Sequence, residues 1–402
     1  MKTRKQYTLL TIATLFSLFS LVFSGCDTGT GKGGNDGVFE LVFTLINDNT
    51  EYSVSKGAVI SGALVIPSSY DGKPVTAIAD YAFNGCSNLT GVNIPKSISS
   101  IGEGAFNNCS GLKSITVNAN NQNYASEGGL LFNKTKTVLI AAPGGINGSV
   151  TVPEGVTSIE LNAFSGCSKL TGITIPATVT SIGSRAFSGC NSLTSITIPT
   201  GVTSIDEGMF SNCSSLTGVT IPASVTIIGS AAFSGCGRLT SITIPATVTS
   251  IGANAFKNCS SLGSVNIPAG VRFIGLDAFS GCANLKNITL PEGLTSINNN
   301  VFAGCNSLTN ITIPVSVRSI GVCAFLECAS LSNITLPEDL TIIRNMAFAA
   351  CVRLTNITIP ASVWSIGDSA FLGWTDQQTI YIKGDYARWD PNWNFGCEAV
   401  IK

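Results

Sequence analysis

Fourteen cysteines and no histidine frame the chemistry open to this chain of 402 residues, because a thiol can act as nucleophile, redox partner or soft metal ligand. Eleven of them stand 23 residues apart, except for one interval of 58 between the second and third: Cys86, Cys109, Cys167, Cys190, Cys213, Cys236, Cys259, Cys282, Cys305, Cys328 and Cys351. That spacing serves none of the three chemistries. Zinc sites draw on closely spaced cysteine pairs, and no such pair occurs in the column. The lack of histidine removes Ser-His and Cys-His nucleophiles, imidazole proton shuttles and histidine metal ligands. Each column cysteine follows a Phe by three positions and precedes a Leu by three, which places it among inward residues as a small hydrophobe. Stacked columns also point their Cβ atoms the same way, the wrong geometry for a bridge between neighbours. Cys323, outside the column, and Cys397, in the tail, are the two whose pairing stays open. Carboxylates give no catalytic set either: Asp206-Glu207, Glu154, Glu292 and Glu338 are isolated and lack convergent partners. The chain reads as a non-enzyme without cofactor or metal.

The elements that position the cysteines repeat with them. Around Cys190, the residues Ala186, Phe187, Cys190 and Leu193 have the spacing of one face of a short helix. Gly or Asn precedes nine of the eleven cysteines, and these residues accept the left-handed conformation that ends a helix; Glu327 and Ala350 are the exceptions. Ser195-Ile196-Thr197-Ile198-Pro199 then alternates as a strand and stops at a proline. Val202 and Ile205 lead through a second extended segment to the next Phe. A fixed period of this length predicts a solenoid, an α/β repeat of 23-residue coils with one parallel β-sheet face and short helical turns and short extended segments opposite. One coil cannot bury its apolar face alone, so the stack needs many copies and a cover at each end.

The order Leu193-x-x-Ile196-x-Ile198, followed by Pro199, the Val-x-x-Ile-Gly step and the Ala-Phe-x-x-Cys turn, resembles the BspA-like, Treponema-type leucine-rich repeat family over about residues 50 to 400. The resemblance implies a bacterial surface protein acting in adhesion or protein binding. The chain departs from ordinary leucine-rich repeats in lacking the Asn after the strand, so the backbone bonds of an asparagine ladder must come from elsewhere.

Composition narrows the partners. Charged residues are 11% of the chain, 44% are hydrophobic, and the net charge is −1, so no basic field draws nucleic acid. Lys2, Arg4 and Lys5 precede an apolar run from Tyr7 to Phe23, and Ser24-Gly25 lie directly before Cys26. This is the layout of an export signal, and it resembles a lipoprotein signal in which Cys26 takes the lipid; the usual Leu three residues before the Cys is here Phe23. The expected layout is a lipoprotein signal peptide over 1–25, a flexible tether over 26–37, an N-terminal capping segment over 38–72, the solenoid over 73–375 with a variant insert at about 118–152, and a C-terminal cap over 376–402. Export followed by lipid anchoring to a bacterial membrane is the expected location.

Three places can bind. The outward mid-strand residue is Thr116, Thr174, Thr197, Thr220, Thr243, Thr289, Thr312, Thr335 and Thr358, with Asn93 and Asn266 as exceptions, and the outward residue two positions earlier becomes Asn287, Asn310, Asn333 and Asn356 toward the C-terminus. This row is either a ladder of β-formers paired with one another or an uncharged hydrogen-bonding face for protein or glycan. In the insert, Leu130-Leu131-Phe132 and Val138-Leu139-Ile140 read as a hairpin across a turn at 133–136. At the C-terminal end Trp374 takes the place of a twelfth column cysteine, and Trp389, Trp393 and Tyr386 either cap the core or form an end site. The expected role is a non-enzymatic cell-surface binding protein for protein or glycan ligands, with a structural envelope component that binds polysaccharide or other envelope proteins as the alternative.

Overall fold

The computed structural model describes residues 23–24, 39–384, 389–398 and 400–401. It is a stack of 23-residue coils carrying two parallel ladders. The first ladder holds the threonine strands, such as Ser195–Thr197 paired with Gly218–Thr220, and Asn310–Thr312 with Asn333–Thr335. The second is built from two-residue strands, for example Ser204–Ile205, Ile227–Ile228, Ser250–Ile251 and Phe273–Ile274, joined in order. The short extended segments are therefore a second sheet in their own right. In both ladders Ile alternates inward and a polar residue outward, as period-two geometry requires.

The segment expected to be a helical turn is not helical, and no α-helix occurs among the described residues. Two left-handed residues four positions apart prevent it: Arg185 (φ 55°) and Gly189 (φ 73°) in one coil, Cys323 (φ 52°) and Glu327 (φ 60°) in another. They flip alternate peptide planes. The N–H groups of Arg185, Phe187 and Gly189 donate to Glu207, Met209 and Ser211 of the next coil at 2.8, 3.0 and 2.8 Å. Those of Ala186, Ser188 and Cys190 turn back three residues, onto Gly183, Arg185 and Phe187. A helix would send every N–H back four residues and leave nothing to bind the neighbouring coil.

Hydroxyls replace the missing asparagine ladder. Thr194 Oγ1 donates to the Thr171 carbonyl at 3.3 Å and Thr217 Oγ1 to Thr194 at 3.1 Å. Thr226 and Thr249 repeat this on the second sheet, and Thr178, Ser224 and Thr247 do so in the turn after the proline. The column thiols add another row: each Sγ from Cys190 to Cys351 donates to the Phe carbonyl of the preceding coil at 3.1 to 3.3 Å. Between these rows runs a file of stacked Phe rings from Phe164 to Phe371, with neighbouring centroids 5.2 to 6.0 Å apart.

At the N-terminal end, Phe39–Ile46 and Glu51–Ile60 form an antiparallel hairpin. Gly62–Val65, inside the stretch expected to be cap, is already the first rung of the threonine ladder. The insert contains the expected hairpin, Leu130–Asn133 against Val138–Ala141, with Tyr124–Glu127 on its other side. This meander divides the interior into two clusters, with Leu131 in the N-terminal one and Leu130 and Phe132 in the C-terminal one.

Candidate binding faces

The geometry that carries a binding surface is the outer side of the threonine ladder. Thr174, Thr197, Thr220, Thr243, Thr289, Thr312, Thr335 and Thr358 are all exposed, as are Asn287, Asn310, Asn333 and Asn356. Strand register lines them up: Asn310 faces Asn333 across the pair, Thr312 faces Thr335, and Thr289 lies beside Asn266. The alternating pleat puts every second residue outward, and the isoleucines between them are buried from Ile196 onward, with Ile173 half-buried. None of the eight threonine hydroxyls is tied into a hydrogen bond among the described residues, unlike the Thr194, Thr226 and Thr178 rows. The amides of Asn310 and Asn356 touch only the adjacent Thr309 and Thr355 hydroxyls, at 3.3 and 3.2 Å. From Thr174 to Thr358 the mid-strand hydroxyls form a row of uncommitted donors and acceptors, whereas Thr116 of the same row donates to the Val92 carbonyl.

The second sheet has a different outer face. Ile227 and Phe273 are exposed in its serine column, and Trp364 stands exposed one position before Ser365. Periodicity alone did not single out these residues; the signal was the replacement of Ser by Ile or Phe at a fixed position of the repeat.

At the C-terminal end the tryptophans close the core. Trp374 is buried, and its Nε1 donates 2.9 Å to the Phe348 carbonyl, the acceptor that a twelfth cysteine would have used. Trp389 and Trp393 are each 7% exposed and meet edge to face with centroids 5.1 Å apart, with Trp393 also against Phe371. Both are cap residues rather than an open end site. Tyr386 and Cys26 lie outside the described residues. Cys323 is a half-buried free thiol at a left-handed position, and Cys397 is half-buried in the cap.

Burial pushes the column thiols up, to about 12 for Cys213, Cys305 and Cys351. They stay protonated, which their role as donors to Phe carbonyls requires. No cluster of three or more cysteine or acidic side chains among the described residues suits a metal.

These features place the chain among known proteins. It is 26% identical to a leucine-rich repeat protein from Bacteroides ovatus, with 92% of this chain and 100% of that one covered and a TM-score of 0.62. It is 28% identical to a leucine-rich cell surface protein from Faecalibacterium prausnitzii, with 88% and 89% covered and a TM-score of 0.46. No curated relative matches the chain. The family described as "BspA type Leucine rich repeat region (6 copies)" matches residues 66–141, 146–263 and 249–378. With three quarters of its length so matched, the chain belongs to the BspA-type leucine-rich repeat family.

Proposed function

We propose that this protein is a non-enzymatic binding module, exported and held at the bacterial surface by a lipid on Cys26, that engages protein partners through the threonine and asparagine face. The observation that carries this reading is the contrast between threonine rows. Three rows spend their hydroxyls on carbonyls of the preceding coil, whereas the outer mid-strand row from Thr174 to Thr358 keeps its hydroxyls available; Thr116, at the N-terminal end of that row, is the exception and donates to the Val92 carbonyl. A purely structural ladder has no need of that difference. Members of the family act generally in surface protein-protein interaction or adhesion, which supports the same role. An envelope scaffold that binds its own cell's polysaccharide or proteins is the second reading, and the uncharged hydroxyl and amide face suits glycan hydroxyls as well.

The test is capture by residues 38–402 of purified matrix proteins, of a glycan array and of crosslinked proteins from the native cell. The triple variant Thr289→Lys, Thr312→Lys, Thr335→Lys should lose capture by roughly tenfold or more, because like charges on neighbouring coils must be desolvated against the partner. Unchanged capture by the triple variant rules out this face. Cells fed a lipid precursor should label the wild type and not Cys26→Ala; persisting label removes the anchor from the proposal.

A further inference from the structure

The stack is broken at one place, and the break leaves bonding groups open. Every coil sends three N–H groups from its left-handed turn into the next coil. Tyr81, Phe83 and Gly85 do so, as do Asn162, Phe164 and Gly166 and each later set to Ser369, Ala370 and Gly373. The coil of Gly104, Phe106 and Asn108 is the exception, and none of its three N–H groups has an acceptor among the described residues. On the opposite wall, the Leu161 carbonyl has no donor, although its counterparts Ser184, Glu207 and Ser230 each accept one.

The cause is a shortened coil. Strand register aligns Leu139 with Ile159 and Gly148 with Leu170, so this coil crosses in eight residues, through Ala141-Ala142-Pro143-Gly144-Gly145, where the coil after it takes ten. The two glycines let it pass close under the coil above: a Cβ on Gly144 would lie 2.7 Å from the Cys109 carbonyl and one on Gly145 2.7 Å from that of Leu112. The shortened turn leaves a notch of about 240 Å³ between residues 101–107 and 160–161, floored by Ile140 and Ala141. It narrows toward Asn108, which packs against Gly166. Two exposed carboxylates, Glu103 and Glu160, line it. Glu103 accepts from the Tyr81 hydroxyl at 2.7 Å, Arg185 across the same edge is held by Glu207, and neither notch carboxylate has an ion-pair partner among the described residues.

We propose that this notch is a binding site for an extended peptide segment of a partner protein, one that carries a lysine or arginine. In an extended chain, carbonyls two residues apart point the same way. Two of them accept from Gly104 and Phe106 N–H, as Glu207 and Met209 do for Arg185 and Phe187 in the regular stack. A peptide N–H donates to the Leu161 carbonyl, and the basic side chain reaches Glu103 and Glu160. The peptide supplies the acceptors that the shortened turn does not bring within reach. This site is separate from the threonine face and stands or falls independently of it.

Amide hydrogen exchange on the full-length protein tests the proposal, with the blocked pentapeptide acetyl-Thr-Val-Lys-Val-Thr-amide as probe and its Lys-to-Glu counterpart as control. In the free protein, Gly104 and Phe106 amides should exchange much faster than those of Phe83 and Phe187. Saturating lysine peptide should slow them by roughly tenfold or more, as a new hydrogen bond does, while the glutamate peptide should not. Ala141→Leu, which fills the floor, should abolish the protection. Glu103→Gln with Glu160→Gln should weaken binding by roughly 2- to 10-fold and leave the exchange of the free protein unchanged. Amides already protected in the free protein, equal protection by both peptides, or no protection at any concentration would each overturn the proposal.

Discussion

At the residue scale, the cysteine column replaces a polar ladder with a weaker one that tolerates complete burial. A thiol is small enough to pack beside the stacked Phe rings and still donates one hydrogen to a carbonyl that would otherwise serve only the Cys N–H of its own coil. Trp374 performs the same donation where the column meets the cap. The raised thiol values make this arrangement sensitive to alkali. The folded value of Cys213, about 12, lies above the value of 9.0 that the thiol has when unburied. Its contribution is therefore whole below pH 9 and is lost as pH rises toward 12, because only the unfolded chain ionises in that window. Near pH ~10.5 the loss is about 2 kcal/mol for such a thiol. Urea titrations at pH ~8 and ~10.5 should show a smaller drop in stability for Cys213→Ala than for the wild type; equal drops would contradict this account. At neutral pH the column thiols should react with a thiol reagent only as fast as the protein opens, while Cys323 reacts first.

At the element scale, the turn that carries the column is set by two left-handed residues. Sequence showed one of them, because Gly or Asn precedes nine of the eleven cysteines. It marked the other only in part: Gly104, Asn162, Gly208, Asn254 and Asn300 carry the same signature, but Tyr81, Arg185, Ala231, Cys323 and Met346 occupy that position without it. Glu327 and Ala350 adopt φ of 60° and 56° although they broke the Gly or Asn rule. Stacking imposes the conformation, because only flipped peptide planes let the N–H groups reach the next coil. The cost falls on the side chain at a site where Cβ crowds the backbone, so Ala350→Gly should raise stability by about 0.5–1 kcal/mol once the greater freedom of unfolded glycine is subtracted. A chemical melt resolves a change of that size. A variant no more stable than the wild type would mean that the neighbouring coils already relieve the strain.

At the scale of the whole molecule, the insert divides one rod into two interiors. Leu131 faces the N-terminal cluster and Phe132 the C-terminal one, from adjacent positions of a single strand. In a solenoid, stability is carried by neighbour contacts, so a partition of this kind allows the two parts to lose structure separately. Leu131→Ala should cost about 2–5 kcal/mol and lower exchange protection mainly in residues 52–115, and Phe132→Ala about 3–5 kcal/mol, mainly beyond residue 139. Loss of protection spread evenly through both parts in either variant would show that the rod unfolds as one unit.

The sequence by itself determined the period, the inward residues, the strand stopped by proline and the insert's hairpin, since each follows from local patterning repeated often enough to be read. It could not determine the turn's true conformation, because Ala186, Phe187, Cys190 and Leu193 face inward in a flipped turn just as they would in a helix. Only stacking decides between the two, through hydrogen bonds made 22 residues away, such as Phe187 to Met209. The same holds for the binding surfaces. Thr194 and Thr197 look alike in sequence, and the carbonyl of the coil before separates the committed hydroxyl from the available one. The notch at Gly104 and Phe106 is likewise a property of the neighbouring coils, because an open N–H is defined by a missing partner that no local residue names.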